Sequence, residues 1–350
     1  MKRSIENPRL TIAGWGAVSP AGWGAEPLLS AAQSGIVADP EVRERAGAGR
    51  PVRVRPVPPP EAGQHLRHPR LRRASPQVKF AAAACIEAMG VERAALVKTG
   101  QWRLGVVFAT MCGAVQYSNR FYEEVLKEPA TASPILFPET VFNATSSHLS
   151  AIFGSQAANY TLVGDSAEFL AALHIAADWL QDDIVDGCLV VGSEELDWVS
   201  WEAMQLFNSN GIAGEGAGAI YLEWDKGEPG QDSIIVEGIT EPALWLNQRE
   251  KRLAAQQARA GLPDGISRQA VLALSTAGHA KTDGAESDVW EDWLGQRVAS
   301  GLLLGNCMGA GVALNAVLAC EYLARGIAAE AILSAAGHHH QCLAAWLRSA

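Results

Sequence analysis

The chain has 350 residues, 48% of them hydrophobic and 19% charged, with 34 glycines and a formal net charge of −10. That length and apolar content support a large buried core and exclude wholesale disorder. The acidic balance excludes nucleic acid as the main partner, since phosphate binding calls for a positive surface, and no run approaches the roughly 18 apolar residues of a membrane span.

In chain order, Leu10–Ile12 predicts a short strand entering a glycine-rich turn. Between Glu41 and Ser75 nine arginines are interspersed with prolines, which predicts an irregular surface excursion or a docking face for an acidic partner. Ala-rich sequence from Gln77 to Met89 predicts a helix, and Leu104–Thr110 a buried strand. Residues 140–155 read as a helix with small residues on one side. Residues 159–182 read as a strand, a turn at Gly164-Asp165, and a helix whose Phe169, Leu170, Leu173 and Ala177 recur at helical spacing. Buried strands follow at Cys188–Glu195 and, after a glycine turn, within Gly214–Trp224.

Beyond these, the pattern predicts a strand at Ile234–Ile239, an exposed helix at Glu250–Ala260 and a strand from Val271. A helix over residues 286–298, a glycine loop at Gly305–Gly311, a helix through Tyr322 and a closing strand at Ala331–Ala335 complete it. Apolar strands alternating with helices imply parallel or mixed sheets covered by helices. Cys85, Cys112, Cys188, Cys307, Cys320 and Cys342 form no CxxC pair and no metal-ligand spacing. They read as scattered reduced thiols, and with a charged N-terminus lacking the apolar run of a secretion signal they predict a cytoplasmic protein.

Phe137-Pro138 with Val141 and Asn143, the segment Thr161–Ser166, Gly214–Gly218 and Gly305–Gly311 stand in an order and spacing that resembles the β-ketoacyl synthases. The opening TIAGWGAVSPAG and the closing SAAGHHHQCLAAW resemble the two ends of that family, and the resemblance spans roughly residues 9–225 and 270–347. It implies the thiolase fold, five α-β-α-β-α layers built from two βαβαβαββ halves, here 1–225 and 226–350 of one integrated domain. It also implies an obligate dimer.

The resemblance places the nucleophilic cysteine position at Ser166 and the two histidine positions at Ser275 and Asn306. A serine hydroxyl is barely ionised at neutral pH without an adjacent base, and neither Ser275 nor Asn306 is one. Ser166 then reads either as a helix N-cap or as a serine nucleophile served by another histidine, the candidates being His279, His338, His339 and His340. Glu194-Glu195 reads as a pair engaged in local hydrogen bonding.

A ketosynthase-like chain that keeps the scaffold and loses the Cys-His-His set is similar to chain-length factors of type II polyketide synthases, including those of aryl polyene and xanthomonadin clusters. That similarity implies pairing with an active β-ketoacyl synthase, or with itself, and docking of an acyl carrier protein. It implies no cofactor and no metal, beyond contact with the carrier's phosphopantetheine arm. Met111, Cys112, Gly113, Phe137, Asn143, Ala144 and Ala151 are the tunnel and interface residues it implies. A free-standing serine acyltransferase or thioesterase, and a non-catalytic carrier-binding homodimer, are the alternatives.

Overall fold

The computed structural model describes residues 9–44, 50–64, 66, 68–225, 233–338 and 340–350; Arg45, Arg67 and His339 lie outside them. The strands of the main sheet are β1 (Leu10–Ser19), β2 (Leu104–Thr110), β3 (Asn159–Val163), β4 (Gly187–Glu194), β5 (Gly216–Trp224), β6 (Ile234–Ile239), β7 (Val271–Leu274), β8 (Arg297–Val298), β9 (Glu330–Ala336) and β10 (Gln341–Ser349). With the short strands Gly22–Trp23 and Ala243–Leu244 they make a 12-stranded sheet among the described residues, in the order β3-β2-β4-β5-β1-β6-β10-β9-β7-β8.

That order is a palindrome in topology. In the first half β2 lies parallel to both β3 and β4, and β5 lies antiparallel between β4 and β1. In the second half β7 lies parallel to β8 and β9, and β10 lies antiparallel between β9 and β6. The two arrangements meet at an antiparallel seam, where Thr11 faces Ile235 and Ile12 faces Ile234.

Helices layer this sheet. α1 (Pro76–Lys98) and α2 (Ala144–Phe153) cover the outer face of the first half, and α5 (Gln248–Ala260) and α6 (Ala280–Val289) that of the second. Between the halves run α3 (Glu168–Gln181) and α7 (Gly311–Ala324), α3 against β2, β4 and β10, α7 against β5 and β9. The result is five layers, α-β-α-β-α: the thiolase fold. α7 is buried continuously from Val312 to Leu323, which is why its sequence has no polar face. α4 (Trp198–Phe207) stands outside the layers, starting from Asp197, whose side chain accepts the Val199 and Ser200 N–H groups.

Several elements depart from expectation for identifiable reasons. The glycine-rich stretch after Ile12 is strand rather than turn. A Cβ on Gly14 would fall 2.0 Å from the Ala88 carbonyl oxygen, and one on Gly16 2.3 Å from that of Ala84, so these glycines let β1 lie directly on the α1 backbone. The arginine-rich excursion contains strands Glu41–Arg43 and Val52–Arg55, which join Ile212–Gly214 in a separate three-stranded sheet. The helix expected over 286–298 lies earlier, at Ala280–Val289, started by His279. α5 is not simply exposed, since Lys251, Ala254, Ala255 and Ala258 are buried. β10 was not expected at all.

The middle layer depends on close approach. Gly192 and Gly218 are cross-strand partners, and a Cβ on them would lie 2.7 Å from Ala313 Cβ and 2.4 Å from the Ala313 carbonyl carbon. Gly218→Val is therefore expected to destabilise the protein by at least about 1–3 kcal/mol, the usual cost of overpacking. A denaturant midpoint unchanged from the parent would contradict this.

Candidate functional site

A cavity of about 670 Å³ opens where the ends of β3 and β7, the loop before α7 and helix α4 converge. It brings together Ser166, Ser275 and Asn306, together with His279, His338 and Met111. His340 is not among its lining residues. It adopts a left-handed φ of 72°, its Nδ1 lies 2.9 Å from the Trp245 carbonyl, and its ring packs on Trp245 at 5.3 Å. His340 therefore packs on Trp245 rather than lining the cavity with Ser166. His339 lies outside the described residues.

Ser166 sits between β3 and α3 and is 9% exposed. It does not cap the helix. Asp165 Oδ1 accepts the Ala167 N–H at 2.8 Å, while no hydrogen bond among the described residues engages the Ser166 hydroxyl. The N-cap reading thus gives way to a hydroxyl that lines the cavity.

Ser275 is held at the end of β7. Its hydroxyl donates to Glu286 Oε2 at 2.8 Å and accepts the Ala336 N–H at 3.0 Å. Glu286 also receives the Ser334 hydroxyl at 2.6 Å, and burial raises its pKa to about 7. Behind it the fully buried Lys251 ammonium donates to the Thr282 carbonyl at 2.8 Å, and burial lowers its pKa. Asn306 uses its side-chain oxygen locally, accepting the Met308 N–H at 2.9 Å. His279 caps α6, with Nδ1 accepting the Thr282 N–H at 3.3 Å.

The turn after β2 reaches the cavity only through Met111. Cys112 Sγ lies 3.2 Å from Met308 Sδ, and the Phe142 ring covers Gly113, where a Cβ would come within 2.9 Å of it. Phe137, Asn143 and Ala151 are exposed and Ala144 is buried, so of the seven expected tunnel and interface residues Met111 alone lines this cavity.

Glu194 pins the same turn, accepting N–H groups from Met111 and Cys112 and the Thr110 hydroxyl at 3.1 Å. Glu195 accepts the Gln77 and Gln116 N–H groups at 3.1 and 2.9 Å. Sequence reasoning passed over Asp165 and the wall formed by Trp201, Met204 and Met308. For Asp165 the signal was its place beside Ser166; the sulfur-rich wall comes from two distant segments, α4 and the loop before α7, and has no local signature.

Burial drives the pKa of Glu194 to about 8 and those of Glu195 and Glu286 to about 7. Each folded carboxyl holds its proton more tightly than the unfolded chain does. The stability this contributes is whole below about pH 4.5 and is lost as pH rises through 7 to 8. The melting temperature should fall between pH 6 and pH 8.5, by roughly 2–4 °C per kcal/mol lost, and Glu194→Gln should flatten the slope. A melting temperature that rises over that interval would contradict this.

Residues 59–226 match the sequence model of the β-ketoacyl synthase N-terminal domain. Three solved structures share the fold over nearly the whole chain. The ishigamide ketosynthase/chain length factor is 20% identical over 97% of this chain and 99% of that one, with a TM-score of 0.76. The ketosynthase ApeO in complex with its chain length factor ApeC, from Xenorhabdus doucetiae, is 14% identical over 100% of both chains, at 0.81. AntDE:AntF, a type II polyketide acyl-carrier protein in complex with its hexaketide-bound ketosynthase, is 16% identical over 99% and 100%, at 0.79. Curated protein sequences give no match.

Proposed function

We propose that this chain, which carries a β-ketoacyl synthase N-terminal domain within a ketosynthase fold, is a chain-length factor. In this reading it pairs with an active β-ketoacyl synthase in the cytoplasm, completes the dimer and shapes the acyl tunnel. The observation that carries the reading is the state of the cavity. The position of the nucleophile is a serine, the two histidine positions are Ser275 and Asn306, and Ser275 is already committed to Glu286 and the Ala336 amide. No group at those positions can deprotonate Ser166 near neutral pH.

Support for pairing comes from the sheet edge. β3 ends the sheet, so its outer backbone groups lack a strand partner among the described residues. Tyr160 and Val163 on β3 are each 51% exposed, and Phe137, Val141 and Phe142 are exposed as well. An apolar free edge of this kind is suited to strand addition across a two-fold axis, and obligate interfaces bury about 2,000–5,000 Å². Carrier-protein docking at the cavity mouth, with contact to the phosphopantetheine arm, belongs to the same proposal; Arg53 and Lys281 there offer positive charge.

The purified chain should not condense a malonyl-carrier with an acyl thioester, whereas its stoichiometric complex with a neighbouring ketosynthase should. Within that complex, Ala144→Phe should shorten the products seen by mass spectrometry. Condensation by the chain alone that is lost in Ser166→Ala would defeat the proposal. The interface is tested separately: Tyr160→Asp with Val163→Asp should abolish co-purification with the ketosynthase while leaving the circular dichroism spectrum intact. Undiminished co-purification would place the interface elsewhere.

A second reading, a serine acyltransferase or thioesterase, draws on one observation: His279 and His338 line the same cavity as Ser166. Thioester hydrolysis by the isolated chain, abolished by Ser166→Ala, would select it.

A further inference from the structure

The segment between the helix Val115–Lys127 and α2 carries its large apolar side chains outward. Phe137, Val141 and Phe142 are all exposed, so in the isolated chain burial does little to hold them in place. Leu136 anchors the start of this stretch, and the Phe142 ring lies over Gly113 at its end.

Between those anchors the fixing contact is polar. His148, on α2, sets its Nε2 2.9 and 3.0 Å from the two carboxylate oxygens of Glu139, in the turn Phe137–Glu139. Both side chains are shielded, at 12% and 17% exposed, so water weakens this contact far less than a surface pair. A carboxylate offers only acceptors, so Nε2 carries the imidazole proton. Nδ1 is then a bare acceptor, buried and without a hydrogen-bond partner among the described residues. That is a cost to α2, offset by the contact with Glu139.

α2 is in turn tied to the sheet edge. Ser146 Oγ lies 2.9 Å from Thr161 Oγ1, and Asn159 Nδ2 donates to Ser150 Oγ at 2.6 Å. These contacts and the Glu139 pair hold β3, α2 and residues 137–142 as one continuous surface.

We propose that the His148–Glu139 pair positions Phe137, Val141 and Phe142 for the partner, so that pairing depends on a hydrogen bond lying behind the interface. The inference rests on the reading that this chain pairs with a ketosynthase along the β3 edge. It adds two positioning residues for that pairing.

Hydrogen exchange is followed by mass spectrometry in the isolated full chain, and affinity for the neighbouring ketosynthase by calorimetry. The variants are His148→Leu, Glu139→Ala, the two combined, and His148→Gln, whose side-chain amide can still donate to Glu139. His148→Leu and Glu139→Ala should each speed exchange over residues 137–143, leave α2 and β3 protected, and weaken pairing about tenfold. The double variant should be no weaker than either single one, since both residues act through one bond. His148→Gln should restore protection and affinity together.

Parental exchange over residues 137–143 in either single variant would overturn the pair as the fixing contact. Faster exchange with parental affinity would overturn its role in pairing. Additive losses in the double variant, or no recovery in His148→Gln, would reveal separate structural roles and overturn the inference too. If His148→Leu does not fold, Glu139→Ala and His148→Gln decide. A parent chain that binds no ketosynthase overturns the chain-length-factor reading, and the exchange measurement still decides whether the pair holds the segment.

Discussion

A helix without a polar face has to be hidden from water on every side, and the molecule is arranged around that requirement. α7 is buried along nearly its whole length, and α3 shares its layer. One sheet offers only one face, so the chain supplies two half-sheets of the same topology and places the pair between them. Gly192 and Gly218 set how close α7 can come, because Ala313 sits where their side chains would be. The hydrophobic contribution scales with the apolar area removed from water, and here α7 contributes on both faces.

The same layer positions the site. Ser166 leads into α3, and the Asn306 loop leads into α7, so the two helices bring residues 140 positions apart to one cavity. The supports beneath that cavity are carboxyls held by backbone amides and hydroxyls. Glu194 fixes the Met111 turn and Glu286 fixes Ser275. A buried carboxyl left without such donors would be costly, so these contacts maintain the shape of the site.

Legibility in the sequence followed the physics of each element. Strands β2 and β4 are apolar on both faces and bounded by turns, and they read directly. β10 did not, because it lies between β6 and β9 with few exposed residues and shows no alternation. β8 has only two residues and owes its existence to pairing with β7. Ser166 and Asp165 are neighbours of equal capping ability, and only the fold decides that Asp165 accepts the amide. His338 and His340 are two residues apart, but the left-handed backbone at His340 turns it to Trp245. The order of family motifs made the architecture readable, together with the three positions, Ser166, Ser275 and Asn306, that come to line one cavity. The sulfur-rich wall was not, because it is assembled from segments with no local pattern in common.

The placement of β1 has a kinetic consequence. Thr11 donates its hydroxyl to the Glu223 carbonyl, 212 positions away, and the same strand then pairs with β6. Beyond the two-residue strand Gly22–Trp23 at its end, β1 therefore has no lateral neighbour among the described residues until β5, some 212 positions later, has left the ribosome. Until then α1 can shield one face of β1, but most of both hydrogen-bonding edges stays open. Pairings of such high contact order form slowly and leave strand edges exposed while they wait. A nascent chain of this topology depends on prompt synthesis of β5 and β6, or on a chaperone that occupies the edges of β1 in the interval.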